Sequence, residues 1–175
     1  WFGFGWGNLY ETKLSPSPDG CVVIREHGSG GKTRFCPKNS VDPIAASNKI
    51  IEAMRKKSPM TASTAKTLLE RLKNNADLRH AYAKNFGIKS SIAAGTELYS
   101  NQRGIQSVKV TKKGYQRNSN DGKVEFFDSV GNLTKIQEKN GYYVEFIYKK
   151  QQLYGQHLKL TTGHSWLRQL DSLHL

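Results

Sequence analysis

The chain has little of what marks an enzyme or a metal protein. Only two cysteines occur in its 175 residues, Cys21 and Cys36. Neither belongs to a Cys-x-x-Cys pair, so the usual zinc motifs are excluded. The five histidines, His27, His80, His157, His164 and His174, are scattered and share no metal-ligand spacing. A catalytic histidine, a bound metal and a cofactor are therefore not expected, and Cys36 reads as a small sheet residue rather than a nucleophile. No run of about 18 apolar residues offers a membrane-spanning helix. The start lacks the charged, apolar and small-residue succession of a signal peptide. Acids are scarce as well: 14 Asp and Glu stand against 27 Lys and Arg, a net charge of +13. Such an excess suits nucleic acid, an anionic membrane surface or an acidic partner. The first residue is Trp1 rather than methionine, and WFGFGW follows from it, so the chain is expected to be a piece of a larger polypeptide.

One stretch imitates a nucleotide site. In VVIREHGSGGKTRF, residues 22–35, β-branched residues lead into glycines and then Lys32 and Thr33. A phosphate-binding loop needs its first glycine five positions before the glycine of the Gly-Lys pair, with a helix starting at the lysine. Glu26 occupies that position, and its carboxylate repels phosphate. The following TRFCPK has strand periodicity and a proline. The stretch is better read as the tip of a β-hairpin. Cys21 and Cys36 flank that hairpin, and a disulfide and two free thiols are equally compatible with their spacing.

Punctuation divides the chain into four zones. Residues 1–40 alternate between strand-like runs and the turns SPSPDG and GSGG, the signature of a β-meander. Residues 41–94 change period. Asp42 and Pro43 open a first helix carrying Ile44, Ile50, Ile51 and Met54; a second runs from Thr61 to about Asn74, and a third from Asp77 to Phe86, where Gly87 stops it. This insertion carries ten lysines and arginines against four acids, a net +6. Residues 95–153 return to strands, with Asp121-Gly122, Gly131-Asn132 and Asn140-Gly141 marking consecutive hairpins. Asp121 and Glu125, beside a turn, read as turn chemistry and a solvated strand face. Residues 154–175 lose the alternation and are expected to form an irregular tail. The fold class is thus mainly β, a meander of antiparallel hairpins with a three-helix insertion, α+β overall.

The segment FFDSVGNLTKIQEKNGYYVEFIYKK resembles the repeat of Rhs and YD-repeat proteins: an acidic turn with glycine, then Leu-x-x-Ile, Asn-Gly and an aromatic strand. The matching residues are Asp128, Gly131, Leu133, Ile136, Asn140, Gly141, Phe146 and Tyr148. It departs from the pattern at Lys149, where the family has aspartate, and at Gln151 and Gln152, where a glycine opens the next turn, so regular repeats are expected to weaken there. WFGFGWGNLYETKL is similar to the lead-in before such repeats, through Phe2, Gly3, Gly5 and Trp6. The resemblance implies a non-catalytic wall segment of a spiralling β-shell around a toxic or otherwise variable C-terminal polypeptide, exported to the cell surface or beyond. Its partners would be the remainder of the same polypeptide and secretion machinery or a surface partner.

Aromatics at the head of a sheet, Trp1, Phe2, Phe4, Trp6 and Tyr10, read as core plugs before they read as a binding platform. The rival function lies in the basic insertion, where Lys66, Arg71, Lys73 and Lys84 are the candidate contacts to a polyanion. Arg55, Lys56 and Lys57 sit where a helix C-terminus favours cations on its own account.

Overall fold

The computed structural model describes residues 9–26, 30–39, 42–88, 92–100, 102 and 105–149, and the backbone of 152–159 and 165–169. Phe2, Gly3, Gly5 and Trp6 lie outside the described residues. After a 3-10 turn (Leu9–Glu11), strands β1 (Lys13–Pro16), β2 (Val22–Glu26) and β3 (Gly31–Phe35) form a three-stranded antiparallel sheet. Lys32 and Thr33 therefore sit inside a strand, opposite Arg25 and Ile24. The hairpin is closed by a Cys21–Cys36 disulfide, with the Cα atoms 4.3 Å apart. Closing a loop of this length removes unfolded-state entropy worth roughly 3 kcal/mol.

Helices α1 (Pro43–Lys57), α2 (Ala62–Asn74) and α3 (Ala76–Asn85) follow, within a residue or two of their sequence signals. Each start is fixed by a side chain that accepts a backbone N–H: Asp42 from Ile44, Thr61 from Thr64 and Asn75 from Leu78. Ile50, Ile51, Ala65, Leu68, Leu72 and Ala83 make the bundle's own core, whereas Ile44 is exposed.

The second sheet grows in strict chain order: β4 (Glu97–Ser100), β5 (Gln106–Thr111), β6 (Gly114–Asn118), β7 (Val124–Asp128), β8 (Leu133–Gln137), β9 (Tyr143–Lys149), β10 (Gln152–Lys159) and β11 (Ser165–Gln169). The chain is thus α+β and mainly β. The irregular tail expected over 154–175 is corrected here, because β10 and β11 extend the sheet past Lys149 and Gln152, which are themselves paired. A register shift between Leu153 and Gly155 accounts for the missed strand: it breaks the period of two, so Leu153 and Leu158 fall out of phase.

The two sheets share one core. Leu14, Val22, Ile24 and Phe35 of the small sheet meet Leu98, Val108, Val110, Phe127, Leu133 and Phe146 of the large one in a single apolar core. Backbone contacts join them at two places. Cys36 and Tyr99 exchange hydrogen bonds of 3.1 and 2.8 Å, and Leu14 N–H donates to the Gly131 carbonyl at 2.9 Å. Gly131 has φ +85°, and a Cβ there would lie 1.9 Å from the Leu14 oxygen. Gly95 has φ +92° with open space around its Cβ position. Alanine at either position incurs the positive-φ strain of about 1 kcal/mol, but only Gly131→Ala also pushes the sheets apart. Gly131→Ala should therefore lose several times more stability in urea unfolding than Gly95→Ala. Equal losses would show that the Leu14–Gly131 approach does not hold the sheets.

Candidate functional site

The eight repeat-motif candidates fall on two successive turns and on β8 and β9. Three turns of the chain share a device: Ser17–Cys21, Ser119–Lys123 and Glu138–Tyr142. In each, the first N–H donates to the carbonyl four residues on, and the glycine N–H donates back to the first carbonyl. An Asx side chain before the glycine accepts the N–H two residues on: Asp19 from Cys21 (3.3 Å), Asp121 from Lys123 (3.0 Å) and Asn140 from Tyr142 (3.1 Å). Gly20, Gly122 and Gly141 supply the left-handed conformation that this hairpin loop requires.

Asp128–Asn132 reaches the same end with the acid moved to the first position. The Asp128 carboxylate accepts from Val130 N (3.0 Å), Asn132 N (2.8 Å) and Asn132 Nδ2 (2.9 Å). Beyond that turn, Leu133 is fully buried and Ile136 half-buried, while Phe146 packs on Tyr10 at 5.3 Å. Tyr148 Oη donates to the Leu133 carbonyl at 2.8 Å, a tie between β8 and β9. Burial, with the Asp128 charge nearby, pushes the Tyr148 phenol up to about 12, so it remains a proton donor over the working range.

Two buried charge networks were not visible in the sequence. Arg117 on β6 donates to Glu125 on β7 (3.0 Å), Gln106 on β5 (2.8 and 3.1 Å) and Glu26 on β2 of the other sheet (2.8 Å). Glu125 is buried, which corrects the reading of a solvated strand face. Alternation carried the signal, because Arg117 shares a face with Tyr115 and Glu125 with Phe127. The second network centres on Asp19, which pairs with Arg34 of β3 and with Arg79 of α3 at 3.4 Å. Arg79 also donates to the Leu72 and Lys73 carbonyls at 2.6 and 2.8 Å, capping the end of α2. His80 follows directly on α3, its Nδ1 buried without a hydrogen-bond partner among the described residues. Burial, then the Arg34 and Lys84 charges, lower its pKa against the opposing pull of Asp19 and Asp77.

The four candidate polyanion contacts are exposed but do not converge. Lys66 stands in the first half of α2, Arg71 and Lys73 in its last turn, and Lys84 in the last turn of α3. Lys73 also pairs with Glu70 at 3.5 Å. A cavity of about 300 Å3 opens where Asn74, Asn75 and Asp77 approach Lys32 and Arg34, and a second of about 400 Å3 lies at the opposite end of the helices. Among the described residues no group of three or more His, Cys, Asp or Glu side chains could hold a metal ion. Among them, too, no helix is long and apolar enough to cross a membrane. No family model, curated protein or solved structure matches this chain.

The His80 environment gives a direction for acid sensitivity. A histidine whose pKa is lower when folded contributes nothing above its unfolded value of about 6.5. Below that, the unfolded chain takes the proton first, so stability falls as pH drops through 6.5 and stops falling below the folded pKa. Urea midpoints measured between neutral and mildly acidic pH should therefore decline more for the native chain than for His80→Gln. Parallel declines would place the acid sensitivity elsewhere.

Proposed function

We propose that the chain is a non-catalytic structural and interaction segment of an Rhs/YD-repeat protein, the start of a β-shell that encloses a C-terminal payload. The observation that carries this reading is the set Asp128, Gly131, Leu133, Ile136, Asn140, Gly141, Phe146 and Tyr148, in which every residue serves a turn, the core or the strand tie. Residues used in that way are what a wall segment needs. Hairpins added one after another in chain order suit a sheet that lengthens by repetition. On this reading the partners are the rest of the same polypeptide and, on the outer side, secretion machinery or a surface partner, and the location is outside the cell.

The exposed cations of the insertion favour a second reading, a basic nucleic-acid-binding module. It is the weaker of the two, because Lys66 and Lys84 stand apart from Arg71 and Lys73, and Lys73 already has an acidic neighbour.

Electron microscopy of the polypeptide encoded by the complete reading frame should show a hollow body, with the sequence following this chain protected from protease inside it. A solid particle with that sequence freely cleaved would overturn the shell reading. In parallel, anisotropy with duplex and single-stranded DNA should show no binding that falls steeply with added salt. Salt-sensitive micromolar binding that disappears in the Lys66→Glu, Arg71→Glu, Lys73→Glu variant would favour the nucleic-acid module instead.

A further inference from the structure

The end of the helical bundle away from the sheets holds a surface that neither reading uses. There α1 ends, α2 begins and α3 ends, and the groove of about 400 Å3 between them is walled by Met54, Pro59, Met60 and Phe86. Each wall has a local cause. Ser58 and Pro59 stop α1, so the connection to the α2 cap at Thr61 is short and carries Met60 across the opening. Phe86 is fixed by the turn that ends α3, in which Gly87, at φ +66°, donates to the Lys84 carbonyl and Ile88 to that of Ala83. Its ring stacks on Tyr82, centroids 6.5 Å apart. Met54 and Met60 are partly buried and pack with one side against the bundle core of Ile50, Ile51, Leu68 and Leu72, while both also line the groove.

Its lining holds one charged side chain, a cation: Lys57, its Nζ 5.0 Å from the centre of the Phe86 ring. Arg55, Lys56 and Lys84 are exposed at the same end. Among the described residues no acid lines the groove; Glu52, exposed on α1 two residues before Met54, is the acid nearest to it in sequence, and Glu70 and Asp77 stand toward the sheet end. Helix dipoles explain why the cations gather where α1 and α3 terminate. They do not explain an apolar concavity among them.

We propose that this groove docks an acidic peptide segment, which inserts one apolar side chain between Met54, Met60 and Phe86 and lays its carboxylates against Lys57 and the neighbouring cations. Thioether side chains adapt to varied apolar anchors, which suits a peptide acceptor. Charge complementarity selects an acidic sequence and speeds its encounter. A membrane surface would need apolar side chains that project, and here they line a hollow. Nucleic acid offers phosphates to the cations but nothing to fill the methionine walls. The proposal goes beyond the shell reading and does not rest on it.

The chain contains only two methionines, and both line the groove. Methionine labelled with 13C at its methyl group therefore gives two NMR signals, each a reporter for this site. The intact chain is titrated with a small pool of peptides about twelve residues long, rich in glutamate, each with one Leu, Met, Ile, Phe or Trp anchor. At least one should shift both signals saturably. Changing its anchor to serine, or Lys57→Glu in the protein, should weaken binding roughly tenfold or more. Lys57 is exposed, so that variant keeps its fold. The proposal is overturned if no peptide shifts the signals, if the serine peptide binds as well as its parent, or if only phosphatidylglycerol vesicles or duplex DNA move them.

Discussion

A sheet of consecutive hairpins has one apolar face, and that face has to be covered. Here the three-stranded sheet covers it: Leu14, Val22, Ile24 and Phe35, all fully buried, fill the face presented by Leu98, Val108, Phe127 and Leu133. Burying a large aliphatic or aromatic side chain is worth about 1.5–3 kcal/mol, so this one interface outweighs any polar contact in the molecule. The middle position of the small sheet follows from its sequence. Val22, Val23 and Ile24 are apolar in succession, as suits a strand buried on both faces, whereas on β7 Phe126 alternates with the buried Glu125 and Phe127.

The polar contacts then divide the work differently on the two sides of that sheet. Toward the large sheet, Arg117 spans the core edge and ties Glu125 to Glu26, so the sheets share a buried charge network as well as an apolar one. Removing one partner of such a network costs about 3–5 kcal/mol, chiefly because the other charge is left buried alone. Toward the helices, by contrast, attachment runs through Asp19, Arg34 and Arg79, while the helices keep a separate apolar core. A bundle with its own core and a charged point of attachment is a unit fastened to the sheets rather than part of them.

Local chemistry was legible in the sequence, and chemistry at a distance was not. The Asx-Gly turns and the helix cap at Asp42 could be read because each is decided within about five residues. The turn from Asp128 to Asn132 was legible for the same reason, since Asp128 and Gly131 both lie within it. The networks around Arg117 and Asp19 were not, because Glu26 and Arg117 come together only when the sheets pack, and Arg79 and Asp19 only when the helices dock. The disulfide stayed open for want of a register, which the pairing of Val22 with Phe35 supplies by setting Cys21 beside Cys36. Strand β10 was hidden by its register shift. The groove was hidden by ambiguity: Met54 fits the apolar stripe of α1, and a stripe does not tell whether its last member meets a neighbour or an opening.

The position of the helices in the chain has a physical consequence of its own. Cys36, just before the insertion, and Tyr99, just after it, hydrogen-bond to each other through their backbones. The chain therefore leaves the sheets and returns to them at one point, and the three helices between are an excursion whose ends are already joined. Lengthening or replacing such an excursion changes closure entropy only slowly with its length. The register of β3 against β4 is set by the Cys36–Tyr99 bridge and by the core beneath it, with Phe35 and Leu98 both fully buried. It does not need the helices. What the helices do need is Asp19, because Arg79 caps α2 and meets Asp19 with the same guanidinium. The hairpin turn that closes β1 onto β2 thereby also orients the bundle, and the end that carries Met54, Met60 and Phe86 is held away from the sheets.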